Sequence, residues 1–236
     1  MTPLIRQLAT AAAAAYRPAG PWAWHFARGK LGGDPLFAAL LAPGLLPRRG
    51  RYLDLGCGQG LLAAWLLAAG RRHAAGSWPA QVPPPPALAG YHGVELLDAA
   101  VRRGRIALAG ADHVSLAGGD MTAAPLPPAD VVTLIDVLHY IPPDAQRALL
   151  ARIRASLAPD ARLLLRVGDA SAGLAYRLSR LTDSLVVVAH GGRWPQLHGR
   201  RLADWLGLLL ALGYRCETHP MGGAGFANTL IVARPD

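Results

Sequence analysis

Cysteine and lysine are nearly missing from this chain: of its 236 residues, only Cys57 and Cys216 are cysteines and only Lys30 is a lysine. Two cysteines so far apart exclude a disulfide-stapled scaffold and a cysteine-rich zinc site, and they point to a reducing compartment, the cytoplasm. Charged residues are sparse as well, at 17% against 52% hydrophobic. That balance excludes a disordered tail and leaves enough apolar surface for one core of ordinary size. No uncharged apolar run approaches the roughly 18 to 20 residues of a bilayer span. Met1 to Ala15 mimics a weak signal peptide, but its alanine run is feebly apolar and reads as a helix of the mature protein.

Basic residues outnumber acidic ones 24 to 15, a formal charge of +9. Nearly all of that charge is arginine, scattered in pairs such as Arg48-Arg49, Arg71-Arg72 and Arg200-Arg201. Without a run or stripe to follow a phosphate backbone, the excess reads as a solvated surface and no nucleic-acid partner is expected.

Short β-type apolar runs alternate with longer helix-type runs, the pattern of a parallel sheet flanked by helices. Strands are predicted over 51–55, 91–95, 113–116, 131–136 and 162–167, and helices over 61–69, 98–108, 144–157 and 202–212. Gly70 stands where a C-terminal cap belongs, and Pro142 and Pro143 stand at a helix entrance. Two last strands, 214–218 and 228–233, join through a glycine-rich loop as a terminal hairpin. Three stretches fall outside the alternation. Residues 1–47 form an N-terminal helical cap, 76–90 a surface insert containing Pro83 to Pro86, and 169–202 a second lid-like insertion on a domain spanning 48–236.

The sharpest local signal is Leu53-Asp54-Leu55-Gly56-Cys57-Gly58-Gln59-Gly60, a strand running into a glycine turn and then a helix. Glycines belong where the backbone takes positive φ or where a ligand must approach the main chain. At the carboxyl end of a first strand, such a turn makes a crevice for a nucleotide-like ligand. The spacing Gly-x-Gly-x-Gly departs from the dinucleotide fingerprint, and the lysine of a phosphate-cradling loop is absent. Asp54 beside the turn would repel a pyrophosphate but suits an ammonium group.

This octapeptide resembles the first motif of the class I methyltransferases that use S-adenosylmethionine, and further segments extend the likeness over residues 50 to 170. The resemblance implies a Rossmann-like α/β fold, a mostly parallel seven-stranded sheet with helices on both faces and a C-terminal antiparallel hairpin. It implies that Asp54, Gly56, Cys57, Gly58 and Gly60 cradle S-adenosylmethionine. Glu95, followed by Leu96, is implied to hold the ribose hydroxyls, Asp120 and Met121 to meet the adenine, and Asp136 and Val137 to line the methyl donor. Glu95 lies far beyond the usual spacing from the turn, and the Pro-rich insert accounts for the excess.

Tyr16 to Gly20, His25 to Leu31 and Arg166 to Ala170 also look like a bacterial methyltransferase group found with aryl polyene and xanthomonadin-type pigment genes. That likeness implies a phenolic or aryl-acyl small-molecule acceptor, free or presented on an acyl carrier protein.

Transfer from a sulfonium needs alignment and exclusion of water more than a nucleophile. A phenolic acceptor must still lose a proton, so a histidine near the donor is the candidate general base. His139 after the fourth strand fits that place, with Tyr140 as a hydrogen-bonding wall, although packing roles remain open for both. His25 either touches substrate or belongs to the aromatic face of a capping helix. Arg28 and Lys30 either bind the donor's carboxylate or an acidic acceptor, or sit on the surface; Arg166 and Asp169 face the same crevice by topology. No residue spacing indicates a metal site. Methylation of RNA or protein, and a non-catalytic cofactor-binding partner in a biosynthetic complex, stay as alternatives.

Overall fold

Proline opens the helices that frame the crevice, because at a first helical position its missing N–H costs nothing and its fixed φ is already helical. It begins α1 (Pro3–Ala14), α2 (Pro21–Gly33), α3 (Pro35–Ala39) and α6 (Pro143–Ser156). Thr2 caps α1 by accepting from the Ile5 amide, and Asp34 caps α3 by accepting from Leu36 at 2.9 Å. The remaining α-helices and strands among the described residues are β1 (Arg49–Leu55), α4 (Leu61–Ala74), β2 (Ala87–Glu95), α5 (Asp98–Ala107), β3 (Val114–Gly118), β4 (Val131–Ile135), β5 (Arg162–Gly168), α7 (Leu202–Ala211), β6 (Tyr214–Pro220) and β7 (Asn228–Pro235). This computed structural model describes residues 2–171, 173, 196–221 and 228–236. Most of the stretch expected as a second lid, and the loop of the terminal hairpin, lie outside the described residues.

The seven strands form one sheet in the order β3-β2-β1-β4-β5-β7-β6. The first five pair in parallel, and β7 runs antiparallel to both β5 and β6. The mostly parallel, doubly covered sheet with its terminal hairpin is therefore as expected. Strand β4 is buried along nearly its whole length because helices cover both faces. One face carries a cluster joining Tyr52, Tyr91 and Leu116 to α1–α5; the other joins Leu53, Leu134 and Leu163 to α6 and α7. Leu8, Ala12, Ala23, Ala27 and Leu31 belong to the first cluster at 1% exposure or less, so the N-terminal helices share the core of the sheet. Among the described residues, no helix is long and apolar enough to cross a membrane.

Two boundaries differ from expectation by more than two residues. Residues 87–90 join β2, since the Ala87 amide donates to Arg48 O at 2.8 Å immediately after the prolines, which cannot donate. Gly70 is not a cap: α4 runs through it to Ala74, and Gly76, at φ +68, makes the left-handed turn that ends the helix. Arg71, Arg72 and His73 fill its last turn, where cations suit the helix dipole.

Glycine plays opposite parts at two helical positions. A Cβ on Gly104 of α5 would lie 2.4 Å from Leu116 Cδ1 and 2.8 Å from Gln59 O, whereas one on Gly70 would meet nothing within 4 Å. Gly104→Ala should lower the unfolding free energy by about 1–3 kcal/mol through overpacking, and Gly70→Ala should raise it by about 0.5–1 kcal/mol. Urea titrations of the two variants should shift the midpoint in opposite directions.

Candidate active site

The end of β1 sets the site. Leu55 leads into Gly56 (φ +77), Gly58 (φ +56) and Gly60 (φ +77), and the last of these caps α4. The β1–β2 ladder continues into the turn, where the Gly56 and Cys57 amides both donate to Val94 O, at 2.8 and 3.1 Å. A Cβ on Gly56 would lie 2.4 Å from Val137 Cγ1, so glycine lets the loop after β4 close over the turn. A Cβ on Gly58 would meet nothing within 4 Å, which leaves its backbone open to a ligand. The turn is also tied to the N-terminal helices. Gln59 donates from Nε2 to Ala23 O at 3.1 Å, and the Tyr16 hydroxyl donates to Gln59 O at 2.9 Å.

Above the strand ends lies a cavity of about 690 Å³, within the roughly 300–1,000 Å³ of small-molecule sites. Asp54, Gly56, Cys57, Gly58, Glu95, Leu96, Asp120, Met121, Asp136 and Val137 all line it, as do Lys30 and Tyr140. The topology thus gathers nearly all of the expected donor-binding residues. Gly60 stands back from it as the helix cap.

Each carboxylate has its own surroundings. Glu95 accepts from the Gly58 amide through Oε2 and from the Leu97 amide through Oε1, both at 2.9 Å, which fixes it across from the glycine turn. Asp120 accepts from the amide and the hydroxyl of Thr122 at 2.8 Å, leaving Oδ2 without a partner among the described residues. Asp54 is 4% exposed and accepts from the Thr133 hydroxyl at 2.6 Å and from the Tyr91 hydroxyl. Burial pushes the Asp54 carboxyl up to about 6, with nearby Glu95 adding to the rise, while the two hydroxyl bonds hold it from going further.

A four-charge cluster closes one side of the cavity. Arg166, 2% exposed, donates to Asp34 at 2.5 and 2.7 Å and to Asp136 through Nε at 2.8 Å, with a second bond from Nη2 to Asp136. Lys30 adds contacts of 2.9 Å to Asp34 and 3.5 Å to Asp136. Burial would raise both carboxyls, but the Arg166 guanidinium outweighs it and holds them below the usual range. Asp136 sits at φ +57, a conformation costly for a residue with a side chain.

Several expected substrate contacts are placed elsewhere. The guanidinium of Arg166 is engaged by Asp34 and Asp136 and does not line the cavity. Asp169 accepts from Ser171 and, at 3.2 Å, from the Leu202 amide that opens α7, so its carboxylate is held away from the cavity. His25 and Arg28 are exposed on α2, whereas Phe26 and Lys30, one turn apart, face the cavity. His139 stands one ring back, its centroid 4.2 Å from that of Tyr140.

Residue types alone did not reveal Asp34, Gln146 or the apolar lining from Phe26, Leu36, Phe37 and Leu40. Gln146, fully buried, donates from Nε2 to the carbonyls of Leu138, Ile141 and His198, and accepts from Arg200 at 2.6 Å. It thereby holds the turn bearing His139 and Tyr140 against residues 196–200. Only the Asp34-Pro35 helix start was a readable signal.

A methyltransferase-domain family profile matches residues 23–218. No curated protein matches the sequence. Among solved structures, mitomycin 7-O-methyltransferase is similar at 23% identity and TM-score 0.58, over 79% of this chain and 49% of that one. The pyocyanin biosynthetic protein PhzM is similar at 19% and 0.61, over 94% and 61%. DhpI in complex with SAH is similar at 16% and 0.60, over 100% and 98%. The chain spans about half the length of the first and nearly all of the last.

Because the Asp54 pKa is raised on folding, stability it contributes is complete below about pH 4 and is lost as pH rises through about 6. The loss should reach roughly 3 kcal/mol at neutral pH. Unfolding titrations of Asp54→Asn across pH 4 to 8 should lack that decline, leaving a flatter profile than the parent chain's.

Proposed function

The chain belongs to the methyltransferase-domain family, and from that membership we propose that it carries a methyl group from S-adenosylmethionine to the hydroxyl of a small aromatic acceptor. The observation that carries this reading is the two-sided lining of the cavity. Asp54, Glu95 and Asp120 line it from the strand ends, and Phe26, Leu36, Phe37 and Leu40 line it from the N-terminal helices.

The strand-end residues fit the donor. Glu95 presents two oxygens, each already accepting one amide and each with a lone pair left for a ribose hydroxyl. Asp120 keeps Oδ2 for an exocyclic amine, with Met121 beside it. Asp54 underlies the turn, its carboxylate oxygens held by the Thr133 and Tyr91 hydroxyls. The open space at Gly58 admits the ligand against the backbone.

When bound, the donor supplies a sulfonium methyl whose C–S bond breaks as the acceptor oxygen forms its bond to carbon, the electron pair leaving with sulfur. The protein's share is alignment, exclusion of water and removal of the acceptor's proton. Phe26, Phe37 and Tyr140 hold an aromatic ring; their faces and edges suit offset or edge-on packing. Tyr140 walls the acceptor, and His139, packed against that ring, takes the proton through one bridging water. The similar mitomycin structure is named as a 7-O-methyltransferase, which supports transfer to oxygen. The likeness to the pigment-cluster group supports an aryl-acyl acceptor, free or on an acyl carrier protein.

Calorimetry should show uptake of S-adenosylhomocysteine, weakened at least about tenfold in Glu95→Ala, the size of one lost charge-assisted contact. Incubation with S-adenosylmethionine and hydroxybenzoyl acceptors, free and carrier-bound, should yield the methyl ether and S-adenosylhomocysteine in equal amounts. Uptake without turnover of any aryl acceptor overturns the acceptor class; no uptake overturns the reading as a whole. His139→Ala should retain uptake and lose about 10²-fold or more in rate near pH 7, recovering as pH approaches the phenol's own pKa. An unchanged pH–rate profile would remove His139 as the base.

A further inference from the structure

Resting on the donor reading above, we infer that Lys30 and Asp136 form an exchangeable ion pair that opens to take the zwitterionic end of an amino-acid-bearing nucleoside, Lys30 receiving its carboxylate and Asp136 its ammonium. Among the described residues, Lys30 is the one cationic side chain that lines the cavity, and Asp136 lines it too.

The cluster is built so that Lys30 can leave. Even without Lys30, Arg166 bonds both Asp34 and Asp136, through every nitrogen of its guanidinium. With that guanidinium 2% exposed and the Lys30 side chain 40% exposed, the first partner is locked in and the second faces the cavity. A partly solvated ion pair contributes little and exchanges cheaply, whereas a buried two-fold guanidinium clamp does not. The Lys30 to Asp136 distance of 3.5 Å is also the longest contact in the cluster.

Charge balance favours a zwitterion. Two cations, Lys30 and Arg166, face two carboxylates, Asp34 and Asp136, so the cluster is neutral as it stands. Inserting a ligand carboxylate and ammonium between Lys30 and Asp136 replaces one internal pair by two crossed pairs and leaves the site neutral. A ligand carrying only the ammonium would leave Lys30 facing a like charge.

The test compares three probes by calorimetry: S-adenosylhomocysteine, its decarboxylated analogue, and 5′-methylthioadenosine, which lacks the amino-acid portion. In Lys30→Met, and in Lys30→Gln as a second variant, Kd for S-adenosylhomocysteine should rise about tenfold and that for 5′-methylthioadenosine should stay within twofold. The decarboxylated analogue should bind both variants more tightly than the parent chain, because Asp136 is then freed for its ammonium. Equal weakening toward all three probes would make Lys30 a structural residue and overturn the exchange. Unchanged affinity for S-adenosylhomocysteine, or weaker binding of the decarboxylated analogue, would overturn it as well. If the parent chain binds none of the probes, the donor reading itself fails.

Discussion

A guanidinium with almost no access to water must be compensated where it stands, and at Arg166 that requirement organises the surroundings of the cavity. Removing one partner from such a buried set typically costs several kcal/mol. Asp34 and Asp136 are therefore drawn to the same place from distant parts of the chain. Asp34 simultaneously caps α3, so the electrostatic demand of β5 is transmitted to the orientation of the N-terminal helices. Asp136 follows β4 in a left-handed conformation that an aspartate adopts with less penalty than most residues. The site wall and the fold are stabilised by the same contacts.

The glycine turn is the second constraint, and it works through absent atoms. Gly56 admits Val137, Gly93 leaves room for Cys57, and Gly104 lets α5 rest on the carbonyl of Gln59. These close approaches bring the turn after β1, the end of β2, α5 and the loop after β4 to a common point. Gly58 differs in facing open space. The turn is thus packed tightly on three sides and open on the one that meets the cavity.

The lining that results suits methyl transfer because that reaction asks little of covalent chemistry. Carboxylates at the strand ends present acceptors for hydroxyl, amine and ammonium groups, while the N-terminal helices contribute apolar and aromatic surface. Gln146 holds the turn after β4 by bonding three carbonyls, and the Gln59 contacts with Tyr16 and Ala23 hold the opposite side. Positional precision of this kind, more than any single reactive group, is what an in-line displacement needs.

Much of this was legible in local patterns. The alternation of strand and helix runs, the glycine turn after Leu55 and the acids at the ends of successive strands determined the sheet and the residues gathered at its carboxyl edge, because each follows from chain geometry over a few residues. The choice of Gly76 over Gly70 as the end of α4 depended on packing around the helix. Whether Arg166 met a substrate or two carboxylates depended on Asp34, far away in sequence. The helical period separates Phe26 and Lys30 from His25 and Arg28, but only the docking of α2 decided which face met the cavity. Local residue order determines which elements form and where glycine must stand; the partners of buried charges belong to tertiary structure, since desolvation acts on whatever the fold brings together.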